Sequence, residues 1–160
     1  MKFKDFIVKT AIQPRLKSMN KGGVIQELVH ALVSAGEIPD DAESEILGKV
    51  LQREELGSTG IGRGVAAPHA KSPAAKRVLG TVGVSANGVD FASLDGEPAY
   101  LFFLLVSPPE SGQDHLRALE HTSRQLRQDL FIRLLRQSET TREIYQILEE
   151  ADESDGEAFI

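Results

Sequence analysis

Residues Ala99 to Val106 form the longest apolar run in the chain. The run is too short for a membrane span, which needs roughly 18–20 such residues. Its length and its aromatic and branched side chains suit a strand, and Pro108-Pro109 ends it. A strand apolar on every residue has no side to offer water, so it belongs at the centre of a sheet with both faces covered. Helices are available on either side of it in sequence. Val24, Ile25, Leu28, Val29, Leu32 and Val33 recur at helical spacing, with Asn20 placed to cap the start and Gly36 to close the end. A second helix is expected from Pro39-Asp40-Asp41, carrying Ala42, Ile46, Leu47, Val50 and Leu51 inward and running out by Leu56-Gly57.

Val78 to Val84 suit another strand, and Asn87-Gly88 marks a hairpin turn before Val89-Asp90-Phe91. Ser111-Gly112-Gln113-Asp114 has the spacing of a capping box. It predicts one long helix with Leu116, Leu119, Leu126, Leu130, Ile132 and Leu134, and a last helix covers about 140–150. The first 20 residues have little pattern and fit a short edge strand or an irregular arm. The expected fold is α/β, a single domain over 1–151, with a mixed sheet of about five strands flanked by helices on both faces. Residues 152–160 are expected to be an acidic, disordered tail.

The net charge of −6 opposes a duplex-binding surface, so no nucleic-acid partner is expected. Cysteine is absent, which excludes disulfides, thiolate metal sites and a cysteine nucleophile. No signal-peptide pattern follows Met1-Lys2-Phe3-Lys4, and no span is apparent, so the expected location is the cytoplasm.

The remaining chemistry rests on four histidines. His30 is expected in mid-helix as a packed or half-exposed side chain. His115 and His121 are six residues apart on one predicted helix, which leaves them about 120° apart. A metal pair there is poor, and no metal is expected. His115, in the first turn of its helix, is well placed near an anion, because N–H groups there are unpaired. His69 is different again. It follows glycines at 57, 60, 62 and 64 and the proline at 68, in a stretch that cannot be regular helix. A neutral imidazole beside open backbone donors can act as a nucleophile toward phosphorus. Arg53, just before this loop, carries a fork suited to phosphate oxygens. No Walker, dinucleotide or nucleophile-elbow pattern is present.

The segment Arg53-Glu54-Glu55-Leu56-Gly57-Ser58-Thr59-Gly60-Ile61-Gly62-Arg63-Gly64-Val65-Ala66-Ala67-Pro68-His69-Ala70 resembles the IIA domain of the bacterial phosphotransferase system, in its fructose/mannitol and nitrogen-regulatory class (type-2 EIIA). The strand Phe102-Phe103-Leu104-Leu105-Val106 and the Pro108-Pro109 to His115-Leu116 turn share the likeness, which extends over about residues 3–150. Ala67 departs from it, standing where the family has a larger aliphatic residue.

The resemblance implies a phosphotransferase with a phosphohistidine intermediate on His69, loaded from the phosphohistidine of an HPr-like carrier. It implies that His115 and Arg53 stabilise the transferred group, helped by loop amides at Gly62 and Gly64. No cofactor, metal or nucleotide is needed, since the donor already carries an activated phosphoryl group. Two outputs are open: donation to a separate IIB of a sugar transporter, or regulation of other proteins. The solitary IIA arrangement favours the regulatory one. A third possibility is a module of the same fold that only binds partners, against which the retention of His69, His115 and Arg53 speaks.

Overall fold

The computed structural model describes residues 1–154. Strand β5 (Ala99–Ser107) lies at the centre of a five-stranded mixed sheet. Strand β4 (Leu79–Val89) pairs antiparallel along one of its edges. The other edge is shared end to end by two short parallel strands. Strand β2 (Val65–Ala66) lies opposite Leu101 and Phe102, and β3 (His69–Lys71) opposite Leu105, Val106 and Ser107. Strand β1 (Gly60–Gly62) pairs antiparallel with β2.

Side chains alternate along β5 as a strand requires. Phe102, Leu104 and Val106 pack on one face with Ile25, Leu28 and Leu32 of α2 (Lys21–Ser34) and Ile46 and Val50 of α3 (Glu43–Glu55). Leu101, Phe103 and Leu105 pack on the other. That second layer contains α1 (Phe3–Phe6), α4 (Gln113–Gln125), α5 (Asp129–Gln137) and α6 (Thr141–Ser154). Asn20 caps α2 through Oδ1, which accepts from Gly23 N at 2.8 Å, and Gly36 closes it at φ +80°. No helix among the described residues is long and apolar enough to cross a membrane.

The N-terminal segment takes the form of an irregular arm. After α1 and a 3₁₀ turn at Lys9–Ala11, it runs along the outer edge of β4. Val8 N donates to Gly80 O at 2.8 Å, Gln13 N to Val82 O at 2.9 Å and Leu16 N to Val84 O at 2.9 Å. An edge that would otherwise template another strand is thereby covered.

Four expectations are corrected. Asn87-Gly88 is no hairpin turn. It forms an irregularity within β4, where Ser85 Oγ accepts from Gly88 N, and pairing resumes at Val89 opposite Ala99. Burial of Val89 and Ala99 rewards continuing the ladder past the turn-like dipeptide. Phe91 is then buried in the connection between β4 and β5 and not in a strand.

The capping box does not form: Gly112, at φ +53°, occupies the cap position, and Ser111 Oγ has no hydrogen-bond partner. The long helix is broken between α4 and α5, and Arg63 Nη1 donates to the carbonyls of Leu126 (3.4 Å) and Arg127 (3.1 Å) freed at the break. Of the apolar residues named for that helix, Leu116 and Leu130 are exposed.

The last helix extends to Ser154. Asp152 is 3% exposed, accepts from Phe3 N at 2.8 Å and Lys4 N at 3.0 Å, and pairs with His121 Nε2 at 3.0 Å. These partners draw it out of the expected tail. Of that tail, residues 155–160 lie outside the described residues.

Gly88 has φ +84°, and a Cβ there would meet the Tyr100 ring at 2.8 Å. Gly88→Ala is therefore expected to cost about 1–3 kcal/mol, combining left-handed backbone strain with overpacking. Urea denaturation measures it.

Candidate functional site

The candidate site is made where the chain along β5 is interrupted. Proline has no N–H to give a ladder. Pro68 O still accepts from Leu105 N at 3.0 Å, whereas Ala67 N turns aside to Thr59 O at 3.0 Å. Pairing resumes at His69, opposite Leu105. The His69 ring, half-buried, folds back so that Nδ1 is 2.9 Å from Ala67 O. A carbonyl oxygen can only accept, so Nδ1 carries the proton in this bond and neutral His69 keeps its lone pair on Nε2.

His115 comes from the opposite side, on the first turn of α4. Its ring centroid is 5.7 Å from that of His69, with the planes at 58°. Its Nδ1 is 2.6 Å from the hydroxyl of Ser107, the last residue of β5. Burial lowers the His115 pKa to about 4, with further lowering from the charges of His69 and Lys71. His115 is therefore neutral near pH 7.

Arg53 belongs to the last turn of α3 and donates through Nη1 to Gly57 O at 2.7 Å. His69, His115 and Arg53 line one cleft of about 410 Å³, together with Lys49, Gln52, Leu56, Ala70 and Lys71. Three permanent cations thus surround two imidazoles, although the chain as a whole is acidic. The arrangement suits a nucleophilic nitrogen and an anionic, tetrahedral group held beside it.

Gly62 and Gly64 are not brought to this cleft. Val65 lies opposite Leu101 and His69 opposite Leu105, so the β1–β2 turn is about 13 Å from His69 along the sheet. A Cβ at Gly62 would meet Asp95, whose Oδ2 accepts from Arg63 N at 3.0 Å. Gly64 faces Tyr100 and Arg136, and its carbonyl accepts from Tyr100 N and Leu101 N. The glycines serve a tight turn at the far end of the sheet strip.

Lys49, Gln52, Lys71 and Ser107 escaped the sequence reading. Positions 49, 52, 53 and 56 form one helical stripe, and Lys71 follows His69 by the strand period of two, so both patterns were available. Ser107 carried no local signal. His30 is exposed and pairs with Glu43 at 2.8 Å; His121 is buried against Asp152. Among the described residues, no group of three or more His, Cys, Asp or Glu is placed to hold a metal ion.

The fold and the cleft together define a histidine-centred α/β domain with a cationic pocket. A family model for the phosphoenolpyruvate-dependent sugar phosphotransferase system, EIIA 2, matches residues 5–151, and the chain belongs to that family. It is 38% identical over 148 residues to a nitrogen regulatory protein of Bradyrhizobium diazoefficiens, covering 92% of this chain and 95% of the relative. It is 34% identical to a fructose-specific EIIA component of Haloferax volcanii, covering 83% and 85% respectively. The crystal structure of nitrogen regulatory protein IIA-Ntr from Neisseria meningitidis superposes with a TM-score of 0.81 at 25% identity, over 90% of this chain and 97% of that one.

The low pKa of His115 links stability to pH. Unfolded, the ring takes up a proton near pH 6.5; folded, it does so only near 4. Between these values the unfolded state binds more protons, so the contribution is complete above about 6.5 and is lost as the pH falls through 4. Urea midpoints measured across this window are expected to fall with acid, and His115→Asn to remove that component of the slope.

Proposed function

We propose that this chain is a phosphoryl carrier that accepts its phosphoryl group on Nε2 of His69 from a phosphorylated HPr-like protein. The observation that carries this reading is the Ala67–His69 hydrogen bond, which leaves the Nε2 lone pair for attack. Nε2 attacks phosphorus in line as the N–P bond of the donor phosphohistidine breaks, and its electron pair returns to the donor ring. Nδ1 keeps its proton, against Ala67 O, while the positive charge develops. Arg53, Lys49 and Lys71 offset the charge on the phosphoryl oxygens. In the tautomer in which the Ser107 hydroxyl donates to Nδ1, neutral His115 presents Nε2–H as a further donor.

The output we infer is regulatory, with the protein acting in the cytoplasm on a partner that senses its phosphorylation state. Similarity to the Bradyrhizobium nitrogen regulatory protein over nearly the whole of both chains supports this. Donation to a separate IIB is the second reading, supported by the fructose-specific Haloferax relative.

Intact-protein mass after incubation with phosphoenolpyruvate, enzyme I and HPr tests the carrier role. Wild type is expected to gain one acid-labile phosphoryl group and His69→Ala none. His115→Ala is expected to accept about 10²–10³ times more slowly, the scale seen when one donor to a developing anion is removed. A folded wild-type protein that takes no phosphoryl group is a partner-binding module instead. Equal, complete loss in both variants refutes the separate roles given to the two histidines.

A further inference from the structure

Glu54 has no part in the cleft chemistry, yet it is the most heavily bonded acid near it. Its side chain is only 3% exposed. It lies in the last turn of α3, where the helix dipole disfavours a carboxylate. Lys21 Nζ, at the start of α2, pairs with its Oε1 at 2.7 Å. Thr59 donates to it twice, through the backbone N (3.1 Å) and through Oγ1. Burying such a pair is costly, and apolar side chains could fill the same space with equal or better stability. What apolar side chains could not do is fix the backbone of Thr59.

That backbone leads to His69. Thr59 O accepts from Ala67 N at 3.0 Å, and Ala67 O accepts from His69 Nδ1 at 2.9 Å. Ala67 precedes a proline and has no ladder partner on β5, so Thr59 O is what holds its N–H and anchors the residue from which the Ala67 carbonyl projects toward His69. The neighbour of Glu54, Arg53, enters the cleft while bonding Gly57 O, in the same loop. The loop is also wedged at Gly60, where a Cβ would meet the Ser93 backbone at 3.0 Å.

We propose that Glu54 is a positioning residue for phosphoryl transfer. Held by Lys21, it locks Thr59, and through Thr59 and the Ala67 carbonyl it sets the orientation and tautomer of His69. This rests on His69 being the acceptor. Glu54 touches neither the phosphoryl group nor the imidazole.

The test uses Glu54→Gln and Thr59→Val, with Thr59→Ser as the conservative control that restores the hydroxyl. Long-range ¹⁵N–¹H spectra of the unphosphorylated proteins read the His69 tautomer, and quench-flow with phosphorylated HPr reads the transfer rate. Amide spectra establish that each variant is folded. Wild type and Thr59→Ser are expected to hold His69 in the Nδ1–H form. Glu54→Gln and Thr59→Val are expected to show mixed tautomers and transfer ten- to a hundredfold slower, the usual consequence of a small misplacement of a reacting group. Wild-type tautomer populations in both folded variants overturn the relay, whatever happens to the rate. A wild-type protein that is never phosphorylated sinks the carrier reading alone, because the tautomer measurement still decides whether Glu54 orients His69.

Discussion

Strand β5 is bonded along both edges and packed on both faces, and the placement of every other element follows from satisfying those four sides. Burial of side chains such as Leu101, Phe102, Leu104 and Val106 is worth about 1.5–3 kcal/mol each, which makes the strand the energetic centre of the domain. One edge is met by a single long partner, β4. The other is met by a chain that Pro68 cannot let pair without a break. The interruption frees Ala67 O from the ladder and gives it to the His69 ring. The exposed lone pair on Nε2 of His69 is thus defined by a defect in the sheet, placed between two short stretches of good pairing.

The charge distribution works against the composition. A chain of net charge −6 gathers Lys49, Arg53 and Lys71 around one cleft, so the local field there is opposite in sign to the molecule's own. Burial meanwhile keeps His115 from adding a fourth cation. Under the proposed carrier role, the cleft would attract a phosphoryl group with its three cations and leave the neighbouring imidazole of His115 uncharged. That division separates attraction, which salt screens, from short-range hydrogen bonding, which salt affects little.

Features fixed by burial or by nearest neighbours were legible in the sequence. The apolar run declared β5, and the periodicity with Asn20 and Gly36 declared α2 with both its ends. Short polar motifs misled where tertiary contacts outweighed them. Asn87-Gly88 was overridden by two buried apolar residues beyond it, and Ser111 lost its cap to Gly112. At the site, His69 stood out through the proline before it, whereas His115 and Arg53 gained weight only through family resemblance. Gly62 and Gly64 were misjudged because closeness in sequence is not closeness along an extended chain. Glu54 looked like one acid in a charged run, and only its burial separates it from Glu55, which is exposed.

The bonds made by Asp152 bear on how such a domain can be joined to others. Its carboxylate caps the first turn of α1 and holds the buried ring of His121, so the opening and closing helices of the fold are tied at one point. Polypeptide attached before Phe3 and polypeptide attached after Ser154 would leave the domain from neighbouring positions. A fusion at either end would share one tethering origin, and a linker of given length would sweep nearly the same volume from both. Joining the two ends to each other, with a new break elsewhere on the surface, is correspondingly open to this fold. A cut made at residue 151, where the family match ends, would remove the acid that secures the first helix.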